Sequence, residues 1–444
     1  MSMFPFPKVK NIIYFIVLTP VIVILLTIGW YQQAIHHNDI PQKMLPPRPD
    51  DSYVIAGYFV NWGIYQRNFN VVDLKADKLS HILYAFANVN ADGSILLGDA
   101  WADTDIRFTQ EKTVDGVVDG WKEVDEDLHG NFKQLALLKQ RNRHLKVSLS
   151  VGGYTWSANF SAVAASPKAR ATFANSAVTL LKDLGLDGID IDWEYPATSA
   201  DADNYVLLLR EVRAALDEYQ LKFDPTDEKF LLSVAVPCGP EHYRLLKLER
   251  MAKYVDLFYL MAYDFAGSWD KVTGHQSNLY GGDFSVDQAV NHYAKSGVPT
   301  KKIVMGMPLY GRGFLNTGLT PGSAYQGVPK GSWEPGNYDY KDLPPEGSKE
   351  YYDEKRVASW SYNERTREFV TYDSPTVTKV KCDYIKQRML GGAMFWELSG
   401  DVPDNSQYRS LLSAAYDFLE RKLNRKPNHI LFPQSKFKNI PHSL

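Results

Sequence analysis

The chain has 444 residues, with 49 Lys and Arg against 52 Asp and Glu, which gives a formal net charge of −3. That charge excludes the basic footprint that nucleic-acid binding requires. A hydrophobic content of 45% with 23% charged residues is typical of a globular protein with a sizeable core. Cys238 and Cys382 allow at most one disulfide, and their apolar or helical surroundings favour buried free thiols.

The first predicted element is an apolar segment near the N-terminus. Residues 12–31 carry no charged side chain, and such a length suffices to cross a hydrocarbon core of about 30 Å. Lys8 and Lys10 precede it, so the positive-inside tendency places residues 1–11 in the cytoplasm. A cleavable signal peptide is the alternative, although its apolar region is normally shorter and no clean Ala-x-Ala site follows. We expect a transmembrane signal-anchor at 12–31 and an extracytoplasmic main domain, at a cell surface, secreted or in a secretory lumen.

Beyond a Pro-rich tether at 32–52, apolar runs with strand character alternate with amphipathic stretches. The amphipathic stretches are Asn131–Lys139, Ala169–Leu184, Asp203–Tyr219 and Val286–Ser296. Strands separated by helices predict a (β/α)8 TIM barrel over 53–418. A doubly wound open sheet is the alternative, but its glycine fingerprint is missing. The predicted strands are Tyr53–Val60, His81–Ala87, Lys146–Ser150, Gly188–Asp192, Phe230–Ala235, Leu257–Met261, Ile303–Met307 and Gly392–Trp396.

Two segments depart from this alternation. Between 315 and 375, Gly, Pro, Tyr and charged residues surround strand-like pieces near Ala358–Tyr362 and Glu368–Tyr372. We expect a small inserted α+β subdomain there, after strand seven, which raises one wall of a cleft. Within the tail at 419–444, the stretch from Arg421 to Leu444 carries six Lys and Arg and no acid. Such a composition predicts a mostly disordered, solvated appendage.

The most informative pattern is a run of acids on the fourth predicted strand. Asp190, Asp192 and Glu194 alternate with Ile191 and Trp193, so in an extended strand the acids share one face. Like charges held together shift their proton affinities, as general acid–base chemistry requires. A solvated surface cluster and a Ca²⁺ or Mg²⁺ site are the alternatives. The bulky apolar opposite face argues against the first, and the absence of EF-hand spacing against the second.

Four motifs at predicted strand ends resemble those of the family 18 glycoside hydrolases, the chitinases. The likeness spans roughly 53–418, and the insertion is similar to that of the bacterial-type subgroup with deep clefts. The matches are Asp187, Asp190, Asp192 and Glu194 for D-x-x-D-x-D-x-E, 150–153 for S-x-G-G, Met261–Asp264 for M-x-Y-D, and Trp396 for the closing-strand aromatic.

The resemblance implies retaining, substrate-assisted hydrolysis, in which the substrate's 2-acetamido group is the nucleophile. Glu194 would be the general acid, with its pKa raised by Asp190 and Asp192, and the three acids should titrate as a coupled set. Asp192 would turn to the acetamido N–H, and Tyr263 would donate its hydroxyl to the acetamido oxygen. Asp264 would assist Tyr263, Trp396 would form the floor under the sugar, and Asp187 takes a structural role.

The resemblance also predicts a groove along which further sugars bind. The family often has Trp directly after S-x-G-G, where this chain has Tyr154, and Trp156 is the expected compensation. The candidates for substrate contacts are Tyr58, Trp62, Phe86, Tyr154, Trp156, Met261, Trp269, Tyr310 and Arg312.

The function that follows is hydrolysis of β-1,4 linkages between N-acetylglucosamine units, by a monomer that needs no cofactor or metal. An endo-β-N-acetylglucosaminidase acting on N-glycans shares the mechanism and is the first alternative. A non-catalytic chitin-binding lectin is the second, and it is disfavoured because Glu194, Asp192 and Tyr263 are all present.

Overall fold

The computed structural model describes residues 52–120, 126–223, 228–403 and 408–442. The predicted cytoplasmic segment, the signal-anchor at 12–31 and the tether up to residue 51 lie outside these ranges. Within the described ranges, no helix has both the length and the apolar character needed to cross a bilayer.

Eight parallel strands close into a barrel, which confirms the predicted fold class. The strands of the described residues are β1 (Val54–Val60), β2 (His81–Val89), β3 (Ile95–Leu97), β4 (Lys146–Gly152), β5 (Gly188–Asp192), β6 (Leu231–Pro237), β7 (Leu257–Met261), β8 (Ile303–Pro308), β9 (Tyr310–Phe314), β10 (Asn337–Asp339), β11 (Lys349–Asp353), β12 (Ala358–Asn363), β13 (Glu368–Tyr372) and β14 (Gly392–Trp396). Hydrogen bonds join the barrel strands in the order β1-β2-β4-β5-β6-β7-β8-β14, and β14 pairs again with β1.

Helices lie between the barrel strands, and each of the four predicted amphipathic stretches falls on one of them. The helices of the described residues are α1 (Gly130–Arg141), α2 (Phe160–Ala165), α3 (Pro167–Leu184), α4 (Ser199–Phe223), α5 (Pro240–Tyr243), α6 (Leu248–Met251), α7 (Val286–Lys295), α8 (Pro375–Gln387) and α9 (Leu411–Phe418). Cys238 and Cys382 are buried free thiols, as predicted.

Local signals place the strand that carries the acids. Helix α3 begins after Ser166, whose side chain accepts a hydrogen bond from the Ala169 N–H, and Pro167 occupies the first turn. It ends at Gly185, whose φ of 69° is the left-handed conformation that glycine tolerates best. The chain therefore turns sharply and enters β5 three residues later.

The two faces of β5 have opposite environments. Ile189, Ile191 and Trp193 point outward into the core between barrel and helices. The Trp193 ring stacks on Phe160 with centroids 5.5 Å apart and meets Tyr205 edge-on at 5.2 Å. This packing fixes the register of β5, because a slip by one residue would bring the acids into the apolar layer.

The inserted segment differs from the prediction. Within 310–374 it is an antiparallel sheet of β9 to β13, in the order β10-β9-β13-β12-β11, and its one helical element is a 3₁₀ turn at Tyr340–Asp342. The predicted helical part of an α+β subdomain is therefore wrong, because the segment alternates strand-like runs with Gly and Pro breaks and has no helical periodicity. Arg67, after β1, ties this sheet to the barrel through Asp339, with Nη1 and Oδ1 3.3 Å apart.

The C-terminal tail is also not the disordered appendage that its composition predicts. Leu423 pairs with Tyr53 next to β1, and Phe432 and Ile440 are buried in the core. The Asn428 side chain donates to the carbonyls of residues 139, 142 and 145, at 3.0, 3.2 and 2.7 Å. These apolar residues and the Asn428 amide dock the tail on the N-terminal end of the barrel, although its average composition is basic and polar.

Asp187 belongs to this end of the barrel, which agrees with the structural role expected for it. Its Oδ2 lies 2.8 Å from Lys139 Nζ and accepts a hydrogen bond from the Val147 N–H at 2.7 Å. Its Oδ1 accepts from the His429 N–H of the tail at 2.7 Å. The first acid of the motif thus joins α1, β4 and the tail, away from the other three.

Replacing Asn428 by alanine tests the docked tail. The change removes the three hydrogen bonds from Asn428 to the carbonyls of residues 139, 142 and 145, so we expect the free energy of unfolding to fall by at least about 2 kcal/mol. Urea unfolding followed by fluorescence measures it. Arg425→Ala, on an exposed tail residue, is the control and should stay within about 0.5 kcal/mol of the wild type. Equal stability of the two variants would show that the Asn428 amide does not help to hold the tail on the barrel.

Candidate active site

The acid ladder lies at the C-terminal end of β5, inside the barrel. Parallel register sets Asp190 beside Ser150 of β4 and Ser233 of β6. Because side chains alternate along a strand, Asp192 points the same way as Asp190, one layer higher. Glu194 follows two residues further, where the strand gives way to its loop. Active sites of such barrels lie at this end.

Asp190 is fully buried and is held by hydroxyl groups. Its Oδ2 accepts from Ser150 Oγ at 2.7 Å and from Tyr58 Oη at 3.1 Å, while Oδ1 accepts from Ser233 Oγ at 2.7 Å. Burial raises the pKa of Asp190, and the three donors oppose that shift by stabilising the carboxylate. Asp190 is thus a rigid acid whose position three strands determine.

Asp192 and Glu194 form a titrating pair above it. Burial raises the pKa of Asp192 well above its usual value, and the charges of Glu194 and Asp190 raise it further. Burial also raises the pKa of Glu194, with a contribution from the charge of Asp264, while a hydrogen bond from Tyr195 acts in the opposite direction. The pair therefore holds a proton to higher pH than isolated carboxyls do.

The turn after β4 supports Glu194 from below. The Glu194 N–H donates to Ser157 Oγ at 2.8 Å, and Ser157 Oγ donates to the Gly153 carbonyl at 2.9 Å. A Cβ at Gly152 would lie 2.2 Å from the Asp192 carbonyl oxygen, so only glycine allows this approach of the two backbones. The S-x-G-G motif and the turn after it therefore fix the position of Asp192 and Glu194 along the barrel axis.

Tyr263 and Asp264 face the acids from the end of β7. Burial raises the pKa of Tyr263 well above its usual value, and the charges of Asp192, Asp264 and Glu194 add to the shift, so these groups share one electrostatic field. Asp264 Oδ1 accepts from Tyr310 Oη at 2.6 Å and from Arg312 Nη2 and Nε at 2.8 and 2.9 Å. β9 thereby fixes the position of Asp264.

A line of rings, here called the aromatic surface, extends from the acids along the barrel mouth. It consists of Trp396, Phe86 and Trp62. The Trp396 and Phe86 rings stack with centroids 5.7 Å apart, and Phe86 and Trp62 are 6.4 Å apart. The Trp62 side chain is 40% exposed. Exposed faces of this kind suit stacking against successive sugar rings.

Two more predicted contacts are exposed near the acids. Tyr154 is 85% exposed, and its backbone hydrogen-bonds the Glu194 carboxylate. Trp269 is 58% exposed, with the Arg312 guanidinium 5.1 Å from its ring centroid. Met261 is partly buried at the end of β7. Their contacts with substrate stay predictions.

Two predicted sugar contacts are placed differently. Tyr58 is 1% exposed, lies edge-on to Trp396 at 5.0 Å and donates to Asp190, so it supports the floor from below and cannot stack on a sugar. The Trp156 ring packs on Gly98, in the loop after β3. Trp156 is partly buried there, and the sugar contact with which it would compensate for Tyr154 stays a prediction.

Three supporting residues escaped the sequence analysis. Ser233 is a single polar residue in an apolar strand, a signal that could have revealed it. Ser157 lies in a loop without any pattern. Tyr195, which hydrogen-bonds Glu194, stacks on His242 with centroids 4.3 Å apart, and this contact between a loop and the short helix α5 leaves no trace in either local sequence.

No group of three or more His, Cys, Asp or Glu side chains suited to a metal ion occurs in the part of the chain that the structure describes. The acids of β5 contact the hydroxyl groups and the neighbouring carboxyl groups described above. The arrangement can donate a proton, orient an amide and bind an extended carbohydrate chain.

A barrel with an acid ladder and an aromatic surface at its open end is the architecture of a carbohydrate hydrolase. The sequence model described as Glycosyl hydrolases family 18 matches residues 54–401, and the chain belongs to that family, as predicted. Endochitinase 1 of Metarhizium robertsii is 45% identical over 397 residues, which cover 87% of this chain and 90% of the relative.

Further relatives extend the likeness to other fungi and to bacteria. Chitinase 1 of Aphanocladium album is 45% identical and covers 88% of this chain and 90% of its own. Among solved structures, the catalytic domain of the psychrophilic chitinase B from Arthrobacter TAD20 has a TM-score of 0.76 and 32% identity, covering 85% of this chain and 97% of that one.

Glu194→Gln should make the protein more stable, and the gain should grow as the pH rises. Below the ordinary pKa of a glutamate, folded and unfolded chains both carry the proton, so the residue contributes nothing. Above that value the unfolded chain loses its proton first, because the folded pKa is raised, and wild-type stability falls. Calorimetry at pH 4 and pH 8 should show a gain in Tm of about 2 °C or more at pH 8 alone.

Glu364→Gln, at an exposed turn between β12 and β13, is the matched control and should show no such trend. A Glu194→Gln variant that loses Tm relative to the wild type as the pH rises would contradict the buried, proton-holding state of Glu194.

Proposed function

We propose that this protein is a chitinase, which hydrolyses β-1,4 linkages between N-acetylglucosamine units with retention at the anomeric carbon. The observation that carries the proposal is the convergence of Asp192, Glu194 and Tyr263 in one field at the open end of the barrel. The endochitinase and chitinase names of the relatives support the substrate class.

Glu194 is the general acid. Burial raises its pKa, so it holds its proton to higher pH than an ordinary glutamate, and it gives that proton to the oxygen of the glycosidic bond as the bond to the anomeric carbon breaks. The acetamido oxygen of the same sugar forms the new bond to that carbon, which gives an oxazolinium ion. Water then opens the ion from the opposite side, and the Glu194 carboxylate takes the proton from the water.

Asp192 orients the internal nucleophile. Asp192 Oδ1 is buried and accepts no hydrogen bond from any group in the described ranges, so it is available to the acetamido N–H. A carboxylate at that point also stabilises the positive charge of the ion. The Tyr263 hydroxyl donates to the acetamido oxygen and holds it in line with the anomeric carbon, and Asp264 and Arg312 fix the Tyr263 side of the cleft.

The aromatic surface favours an extended chain over a branched glycan. Trp396 is the floor of the sugar that reacts, and Phe86 and Trp62 continue the stacking face away from it. A linear polymer presents one ring after another to such a line. An endo-β-N-acetylglucosaminidase needs only the acetamido site and gains little from Trp62, and a lectin does not require the proton held by Glu194.

The N-terminal segment adds a place of action. Residues 12–31 are apolar and uncharged, with Lys8 and Lys10 before them, and this pattern supports a signal-anchor that keeps the hydrolase on the outer side of a membrane.

Hydrolysis of a defined N-acetylglucosamine hexamer tests the function. Wild-type protein should release shorter oligomers, with the β-anomer formed first in proton NMR spectra. Glu194→Gln should lower kcat by about 10²–10⁴-fold, the usual contribution of a general acid. Its affinity for the hexamer should stay within about threefold of wild type, because the amide keeps the shape of the acid.

Glu364→Gln is the control and should keep wild-type kcat. A Glu194→Gln variant with wild-type turnover would refute the assignment of the acid. Cleavage of a core N-glycan with an intact hexamer would favour the endo-β-N-acetylglucosaminidase. Binding of the hexamer without any product at any pH would favour the lectin.

A further inference from the structure

A loop after β3 holds a buried carboxylate that takes no part in the mechanism above. Residues 101–105 form a single π-type turn, and Asp103 at its centre is 0% exposed while Trp101 at its start is 51% exposed. The Asp103 side chain points toward β2 and the turn after β1, away from solvent.

Three donors meet at Asp103, two from other segments and one from its own loop. Tyr84 Oη of β2 and Asn61 Nδ2 donate to Oδ1 at 2.5 and 3.1 Å, and the Asp99 N–H donates to Oδ2 at 3.1 Å. Asn131 Nδ2, in α1, donates to Tyr84 Oη at 3.1 Å and extends the network. The carboxylate thus links the loop to the barrel, to α1 and to the turn after β1.

The turn after β1 is the one that carries Trp62. It spans Asn61–Ile64, so Asn61 is the direct neighbour of Trp62. At its other end, Tyr65 Oη donates to Asp99 Oδ2 at 2.6 Å, and Asp99 Oδ1 accepts from the Ala102 N–H at 3.1 Å. The loop around Asp103 therefore holds both ends of the turn that presents Trp62.

The same loop touches the aromatic surface a second time. A Cβ at Gly98 would lie 2.4 Å from the Trp156 ring and 2.5 Å from the Phe86 carbonyl oxygen. The loop is therefore wedged between the segment of Phe86 and the Trp156 ring. Its position fixes the spacing between Trp62 and Phe86.

The donors of Asp103 are all neutral, and this makes it an unusual core residue. Burial raises the pKa of Asp103 to about 6, against the opposing effect of Tyr84, Asp99 and Asn61. A buried acid without a compensating charge is costly to keep. An apolar side chain would fill the space at less cost, but it could not bind donors from several segments at once.

We propose that Asp103 is a positioning residue for the substrate chain, because it fixes the Trp62 turn against Phe86 and so determines how far the aromatic surface extends beyond Trp396. The proposal rests on the proposed function. Asp103 touches no sugar itself, and it acts through Asn61 and Trp62.

Kinetics on long and short substrates test this role. In Asp103→Asn an NH2 group replaces one carboxylate oxygen, and this group cannot accept the hydrogen bonds that the oxygen accepted. The turn that carries Trp62 is therefore held less firmly. We expect KM for the N-acetylglucosamine hexamer to rise about three- to tenfold, the effect of losing one ring contact. The kcat on the hexamer, and kcat/KM on 4-methylumbelliferyl chitobioside, which ends before Trp62, should change less than twofold.

A double variant separates positioning from general damage. Trp62→Ala should show the same length-dependent loss, and Asp103→Asn combined with Trp62→Ala should lose no more than Trp62→Ala alone. Asp105→Asn, an exposed acid in the same turn, is the matched control and should leave both substrates unchanged. Additive losses in the double variant, an equal loss on both substrates, or an unchanged hexamer KM would each overturn the proposal.

Two further arms keep the test decisive. If Asp103→Asn does not fold, Tyr84→Phe removes one donor to the same carboxylate and should give a smaller loss in the same direction. Tryptophan fluorescence titration with the hexamer, in the Glu194→Gln background, measures affinity without turnover. A wild type that binds the hexamer but does not cleave it would refute the proposed hydrolysis, while a three- to tenfold loss of affinity in Asp103→Asn would still support the positioning role.

Discussion

The burial of the carboxylates at the end of β5 is the constraint on which the rest of the site depends. Water stabilises such groups strongly, and the interior offers Asp190 three hydroxyl donors in its place. Asp192 receives no comparable set, and its charge is opposed by Asp190 below and Glu194 above. The raised pKa values of Asp192 and Glu194 follow from this difference, because the charge stabilised on Asp190 disfavours a further charge on Asp192 directly above it.

Strand register determines which hydroxyl groups lie next to the buried acids. Ser150 and Ser233 flank Asp190 only because β4, β5 and β6 are aligned by parallel pairing. The outward stack of Trp193 on Phe160 holds the alignment from the other side. The apolar face of β5 is thus as necessary to the chemistry as the acidic face, since a slip of β5 would separate the acids from their donors.

The sequence was sufficient for features that repeat along the chain and insufficient for features that depend on depth or on distant contacts. The period of two in 189–194 correctly assigned both faces of β5. The depth of Tyr58 was predicted wrongly. Alternation along a strand shows that a side chain points into the barrel, but it does not show how far below the mouth of the barrel that side chain lies. The tail was misjudged because composition averages over Leu423, Phe432 and Ile440, whose burial depends on surfaces made by residues far away in the chain.

Asp190 and Asp103 show one physical device used for two purposes. Each is a buried carboxylate that accepts hydrogen bonds from neutral donors on several segments. In each, these hydrogen bonds offset part of the free-energy cost of burial and hold the segments together. Around Asp190 the donors come from rigid barrel strands, so the arrangement acts on the proton affinity of the neighbouring acids. Around Asp103 two of the donors come from loops, Asn61 and the Asp99 backbone, so the product is the position of a ring. Neutral donors suit both tasks, because a cation in either place would lower the pKa of the nearby acids or screen their field.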